Sequence, residues 1–197
     1  VKNNMQFICS LLHLQSRNSA NEEAFRVLLE CERRIRSMSL VHEKLYRTTN
    51  VSVFQVKTYL QELVSALMSS YKTNEEQIGF FISGEDLQLD FDTLIPCGLI
   101  ITELVTNSIQ HAFPEGRRGE IRVELELTER DLVQLVVSDN GVGTSTSIAR
   151  HESSPMGLEL VQTLACYQLE GTLERTCDEG TRYVITFPMV DKESSHG

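Results

Sequence analysis

Apolar residues at the start of the chain return at helical spacing. Val1, Met5, Ile8, Leu11 and Leu12, with Gln15 among them, fall near one face and predict a helix over residues 1–17. Arg17 to Asn21 is short and polar, as a turn would be. Asn21 can cap a second helix, and Glu22 and Glu23 would sit in its first turn, where carboxylates suit the helix dipole. From Ala24 the apolar positions Val27, Cys31, Ile35, Met38, Val41 and Leu45 step by threes and fours. That is a narrow seam of coiled-coil type over about three heptads. Two helices joined by a short turn make an antiparallel hairpin, which cannot bury both its faces alone. The pattern predicts pairing with a second copy into a four-helix bundle; the alternative is packing against the rest of the same chain.

Thr48 to Ser52 breaks the helical pattern. Phe54 to Tyr71 reads helical again, with Tyr59, Leu60, Leu63, Val64, Leu67 and Met68 on one side. Then the period changes. Ile78 to Ile82 is a short β-type run ended by Ser83-Gly84. Asp92 to Phe113 is a long apolar-rich helix, with Pro96 expected in its first turn, where proline is tolerated. Ile121 to Leu127 alternates as a half-buried strand, and Leu132 to Ser138 is a second strand. Gly157 to Leu169 reads as a helix. Gly171 to Cys177 and Tyr183 to Phe187 are closing strands around the turn Asp178 to Gly180. The expected fold class is α+β, with helices on one face of a mixed, mostly antiparallel sheet. The expected organisation is a helical hairpin at 1–49, a connecting strand/helix segment at 50–73, a sandwich domain at 74–190 and a flexible tail at 191–197.

Charge sharpens this division. Residues 1–73 carry 10 basic and 6 acidic side chains, and the remainder 8 and 22, so a net charge of −10 divides into +4 and −14. That balance argues against nucleic acid as a partner, which would need a basic face. No apolar run approaches the roughly 20 residues of a membrane span, and no signal peptide is visible, so a cytoplasmic protein is expected. Five cysteines without CxxC spacing read as reduced core thiols. The first residue is Val1 and not methionine, so the chain is expected to be a piece of a longer one.

Four short elements carry candidate chemistry. In Glu103 to His111, the residues Glu103, Asn107 and His111 are four apart and share one side of a helix. An amide oxygen beside a carboxylate suits a hard cation such as Mg²⁺; a solvated polar stripe would look the same. Asp139-Asn140-Gly141-Val142-Gly143 follows a strand. Its carboxylate can accept from an exocyclic amine, and its glycines allow positive φ and close backbone approach; a plain glycine turn is the alternative. Gly157 opens a helix, whose free N–H groups can face a phosphate. The Ser- and Thr-rich stretch Thr144 to Met156 before it is a candidate lid. Glu179-Gly180-Thr181 precedes the last strand.

In this order the four elements resemble the N, G1, G2 and terminal boxes of the Bergerat (GHKL) ATP-binding fold. That superfamily holds histidine kinases, Hsp90 chaperones, type II topoisomerases and MutL-type repair proteins. Val1-Lys2-Asn3-Asn4-Met5-Gln6 and Ser10 to Gln15 resemble the dimerisation helix of sensor histidine kinases, in the subclass whose acceptor helix reads H-R-V-K-N-N-L-Q. Val41 to Tyr46 resembles the end of its second helix. The resemblance covers residues 1–188 and implies a homodimer whose ATPase domain transfers the ATP γ-phosphoryl to a histidine, then to the receiver domain of a response regulator. It implies Mg²⁺ held by Asn107, with Glu103 supporting the metal or orienting the acceptor, and Asp139 reading the adenine amine. Gly141 and Gly143 would shape the pocket, Gly157 and Leu158 would begin the lid helix, and His111 and Thr181 would face the nucleotide.

Two departures from the family pattern stand out. The acceptor histidine would fall two positions before Val1; His13 and His42 read as structural. The N box usually carries a lysine where this chain has Gln110. Lys2, or Arg150 and His151, are candidates for the missing positive charge. A scaffold or phosphotransfer relay of the same fold is the alternative function. A chaperone- or topoisomerase-type ATPase is disfavoured by the hairpin ahead of the ATPase domain.

Overall fold

The computed structural model describes residues 2–17, 21, 24–25, 27–28, 31–32, 35–36, 39, 41, 43, 54–71, 77–85, 87–143 and 155–189. The chain divides into two compact units, Val1–Val51 and Ser52–Gly197.

In the first unit, α1 spans Lys2–Arg17. The described positions between Ala24 and Glu43 are all helical. Asn21 caps this second stretch as its sequence predicts: its Oδ1 accepts from the Ala24 N–H at 3.4 Å and its carbonyl from the Phe25 N–H at 3.0 Å. Glu22 and Glu23 lie outside the described residues. Cys9 Sγ donates to the Glu32 carbonyl at 3.8 Å, and His13 Nδ1 lies 3.2 Å from Glu32 Oε2. Two residues of α1 thus meet one residue beyond the turn, so the chain folds back. Arg36 holds the other Glu32 oxygen at 2.9 Å.

The apolar face of α1 differs from the expectation. Cys9 is buried and Met5 and Leu12 are half-buried, but Ile8 and Leu11 are 42% and 46% exposed, and Phe25 and Val27 are exposed too. One neighbouring helix covers only one side of such a stripe. Of the second seam, Val41 is buried and Ala24, Cys31 and Ile35 are half-buried, while Met38 and Leu45 lie outside the described residues.

The second unit is an α+β sandwich. Its sheet comprises β2 (Ile78–Gly84), β4 (Gly119–Leu127), β5 (Leu132–Asp139), β6 (Thr172–Thr176) and β7 (Thr181–Pro188), in the order β2-β4-β5-β7-β6. The β2–β4 pair is parallel and the other pairs antiparallel, so the sheet is mixed as expected. A small separate ribbon pairs β1 (Phe54–Gln55) with β3 (Gln88–Leu89). Alternation fixes the faces. Ile121, Val123 and Leu125 of β4 are buried, and the β5 residues Val137 and Leu135 stand opposite Val123 and Leu125.

Three helices carry the rest of the core: α2 (Val56–Tyr71), α3 (Phe91–Asn107) and α4 (Pro155–Thr163). α3 contacts both α2 and α4 and packs on β5. That central position is why Leu94, Cys97, Ile100, Ile101, Leu104 and Val105 are all buried along one broad face of the helix. Each such side chain contributes about 1.5–3 kcal/mol of burial. Asp90 caps α3, its Oδ1 accepting from the Thr93 N–H at 2.9 Å. The helix therefore begins at Phe91, and Pro96 falls past the first turn, where it removes one internal hydrogen bond. No described helix is long and apolar enough to cross a membrane.

Two predicted helices end differently. α3 does not run on to Phe113. At Ser108–Ala112 it loosens into a π turn, whose wider hydrogen bonding takes in one extra residue. α4 also gives way to a π turn at Leu164–Gln168, and it starts at Pro155 rather than at Gly157. Gly157 is thus the third residue of α4, still in its first turn. The predicted helix over 54–71 likewise begins at Val56, after the two strand residues of β1.

Candidate functional site

Three chain ends converge beneath the helices: the π turn after α3, the end of β5, and the start of β7. Asp139, the last residue of β5, stands opposite Thr181, the first of β7. Its side chain is buried, at 8% exposure. Asp139 Oδ1 accepts from the backbone N–H of Gly141 at 3.0 Å and of Thr181 at 3.3 Å. Its Oδ2 accepts from the Ser108 hydroxyl at 2.8 Å. A carboxylate has about four acceptor positions. Three are filled by these bonds, and one is left for a donor from a ligand.

Two glycines make this approach possible. A Cβ at Gly141 would lie 2.3 Å from the Ala112 carbonyl oxygen, which also accepts from the Val142 N–H at 3.0 Å. Gly141 is required for close approach, not for a positive φ. Gly143, at φ +63°, does occupy the left-handed region. Asn140 ties the same turn to β4, accepting at Oδ1 from the Glu120 N–H at 2.7 Å.

A cavity of about 50 Å³ opens here, lined by Leu104, Asn107, Ser108, His111, Ala112, Asp139, Gly143, Leu158, Arg175, Thr181 and Tyr183. Among the expected site residues, Asn107, His111, Asp139, Gly143, Leu158 and Thr181 line it together. Gly141 packs behind it against Ala112, and Gly157 is buried in α4 just before Leu158. Glu103 is half-buried, one helical turn before Asn107, and does not line the cavity; nor does Gln110, which is exposed. Arg150, His151 and positions 144–154 of the expected lid lie outside the described residues, as does His42; Lys2 lies in the other unit.

Ser108, Arg175 and Tyr183 escaped the reading of the sequence. Arg175 and Tyr183 are directly opposed across β6 and β7. The Arg175 guanidinium carbon lies 5.4 Å from the Tyr183 ring centroid, within cation–π range. Tyr183 shares a strand face with Thr181, two residues away, so correct alignment of the two closing strands would have found both. Burial pushes the Tyr183 phenol up; the Arg175 guanidinium pulls it down, while Cys177 and Asp139 push it further up. Ser108 follows Asn107 in what reads as a plain helical run, and only the partner it meets, Asp139, gives it meaning.

Among the described residues no cluster of three or more His, Cys, Asp or Glu side chains could hold a metal ion. A cation here would need oxygens from elsewhere. That suits Mg²⁺, which keeps waters, takes few protein ligands and binds substrate phosphates. The Asn107 amide on the cavity wall and the spare acceptor on Asp139 fit a metal–nucleotide: the amide for the cation, the carboxylate for a base amine. A second groove of about 340 Å³ shares Asp139 and Thr181 and runs over Glu120, Arg122, Asp178, Glu179 and Arg182.

Comparison with known proteins identifies the family. Residues 1–71 match a family model described as "Histidine kinase", and residues 94–191 one described as "Histidine kinase-, DNA gyrase B-, and HSP90-like ATPase". The sensor histidine kinase PdtaS of Mycobacterium tuberculosis is 32% identical over 195 residues, which are 96% of this chain and 38% of the relative. The chain thus spans well under half the length of that protein. An anti-sigma F factor of Shouchella clausii is 30% identical over 114 residues, 52% of this chain and 77% of the relative. The histidine kinase domain of the Erythrobacter litoralis EL346 blue-light-activated kinase shares the fold. It has a TM-score of 0.68 at 17% identity, covering 95% of this chain and 94% of that one.

Proposed function

From the premise that this chain belongs to the histidine kinases, as a transmitter core, we propose that it binds Mg-ATP in the cavity around Asp139 and phosphorylates a histidine of its dimeric hairpin, which then passes the phosphoryl group to a response-regulator aspartate. The observation that carries the reading is the buried Asp139 carboxylate on the cavity wall, held by three donors among the described residues, which leaves it one further acceptor position.

On this reading Asp139 takes the N–H of the adenine amine. The Asn107 amide oxygen is the protein ligand of Mg²⁺, whose charge would neutralise the phosphates. The free N–H groups in the first turn of α4, around Gly157 and Leu158, face the phosphate chain. His111 and Thr181 close the nucleotide site, and Glu103, a turn from Asn107, supports the metal or orients the acceptor. Transfer breaks the bond between the γ-phosphorus and the ADP oxygen and forms one between phosphorus and the lone-pair nitrogen of the imidazole, while the proton on the other ring nitrogen leaves to a base. Positioning and charge neutralisation account for most of such catalysis.

The boundaries that follow are a hairpin at 1–49, a connector at 50–73 and an ATPase domain at 74–190. The exposed Ile8, Leu11, Phe25 and Val27 would be covered by the second protomer. The transmitter is read as cytoplasmic. The acceptor histidine of the family pattern would precede Val1 by two positions. A second reading, an ATP-binding scaffold or relay with weak or no kinase activity, is favoured by Gln110, neutral where the family carries lysine.

The test uses a protein that includes the two positions ahead of Val1. Acid-labile ³²P incorporation from γ-labelled ATP that disappears in Asp139→Asn and Asn107→Ala supports the kinase. Nucleotide binding without incorporation supports the scaffold. Parent-like nucleotide binding in both variants refutes the site.

A further inference from the structure

The nucleotide reading leaves one feature of the cavity without a role. Arg175 is the one lysine or arginine among its described lining residues, and it comes from β6, at the sheet edge. It does not hang free. The β6–β7 register sets it opposite Tyr183, whose ring lies under its guanidinium at 5.4 Å. Tyr183 in turn is two residues along β7 from Thr181, which bonds to Asp139. Arg175, Tyr183, Thr181 and Asp139 therefore form one continuous wall running from the sheet edge to the buried carboxylate.

The chemistry of that wall is complementary to one edge of a base. A carboxylate alone reads an exocyclic amine, and any amino-bearing base offers one. An amino base such as adenine or cytosine also carries a ring-nitrogen acceptor beside its amine. A guanidinium is a planar fork of donors with no acceptor, and an aromatic face beneath it limits its orientations. An acceptor and a seated donor on the same wall read the amine and a ring nitrogen together.

We propose that Arg175, seated on Tyr183, is a base-contacting residue of the nucleotide site that donates to a ring nitrogen beside the base amine. The inference rests on the nucleotide reading above and deepens it. It assigns Arg175 to the base and not to the phosphates, so Arg175 does not replace the charge missing at Gln110.

The experiment is calorimetric titration of the full chain with adenosine and, separately, with Mg-ATP, alongside thermal melting to confirm folding. Arg175→Ala is expected to weaken both ligands by the same factor, about 10-fold, the scale of one lost hydrogen bond to a charged group. Tyr183→Leu, which removes the seat, is expected to give the same loss for both, whereas Tyr183→Phe keeps the ring and binds as the parent does. Unchanged affinity in Arg175→Ala, or a loss for Mg-ATP with none for adenosine, overturns the inference. A parent chain that binds neither ligand overturns the nucleotide reading itself, and the inference with it. A parent that binds both, with Asp139→Asn abolishing binding and Arg175→Ala indifferent, overturns the inference alone.

Discussion

Removing the Ser108 hydroxyl probes the centre of the site without touching any ligand contact assigned to Asp139. The hydroxyl donates to Asp139 Oδ2 at 2.8 Å, and both residues are buried, at 8% exposure each. In Ser108→Ala the methyl occupies nearly the same space, so no cavity forms. What is lost is one buried hydrogen bond to a carboxylate, and Oδ2 is left with no donor from the protein. Bonds of this kind contribute about 1.5–3 kcal/mol, and the carboxylate keeps its two backbone donors on Oδ1. A destabilisation of about 2 kcal/mol is expected. For a unit of this size that lowers the melting temperature by about 4–8 °C. The assay is thermal unfolding of parent, Ser108→Ala, Asp139→Asn and the double variant, read as a cycle. The two changes share one bond, so they are expected to be non-additive by at least 1 kcal/mol. Additivity within about 0.5 kcal/mol would refute the coupling drawn between the π turn and β5. A melting point at the parent value would refute it more simply.

Gly141→Ala forces a Cβ to 2.3 Å from the Ala112 carbonyl oxygen, a backbone atom that cannot swing away. It is expected to cost more than 3 kcal/mol and to abolish nucleotide binding, as read by melting and titration. Ile8→Asp with Leu11→Asp places charges on the exposed stripe of α1. Sedimentation is expected to shift from dimer to monomer while nucleotide binding by the second unit persists, and an unchanged dimer would locate the interface elsewhere. Burial pushes the Cys97 thiol from 9.0 up to about 12, and it raises the phenol of the neighbouring Tyr59 as well. Both groups are held neutral in the fold and ionise more readily in the unfolded chain. Their stabilisation is complete below about pH 9 and lost progressively above it, so melting should fall from pH 9 to pH 11 less steeply in Cys97→Ala than in the parent.

What could be read in advance followed from periodicity. Alternation in Ile121 to Leu127 identifies β4, because one buried face leaves an apolar residue at every second position, and the short apolar run Leu132 to Ser138 identifies β5. The Asn21 cap was equally local. Where the reading went wrong, the cause was an interaction with no local trace. Pro96 was placed in a first turn, but the Asp90 side chain starts α3 earlier than the apolar pattern does. Glu103, Asn107 and His111 were set along one ideal helix. The π turn at Ser108–Ala112 takes in an extra residue and so shifts His111 and Ala112 from their ideal-helix positions, whereas Glu103 and Asn107 keep ordinary spacing in α3 ahead of it. Spacing rules assume 3.6 residues per turn and cannot register that change. Arg175 and Tyr183 were missed for another reason. Each is unremarkable in its own strand, and only the register of β6 on β7 joins them.

The charge division of the chain bears on the same site. Residues 74–197 carry a net −14, yet the family ligand is a polyanion. The proposed site would resolve this without a cluster of cations. On that reading Asp139 takes a base amine, so the buried negative charge would meet the neutral, donor-bearing end of the ligand. The cavity wall elsewhere offers amides, hydroxyls and apolar surface, from Asn107 and Thr181 to Leu104 and Leu158. The phosphates are then left to Mg²⁺ and to the first-turn N–H groups of α4, which carry partial positive charge but no formal one. A site built this way should depend steeply on the divalent ion. Without Mg²⁺ the phosphates would face an acidic domain in which Arg175, the one lysine or arginine among the described lining residues, is assigned by the proposal to the base end. Omitting Mg²⁺ should therefore weaken ATP by far more than it weakens adenosine. Equal affinities for ATP with and without the metal would mean that a cation of the protein serves the phosphates after all.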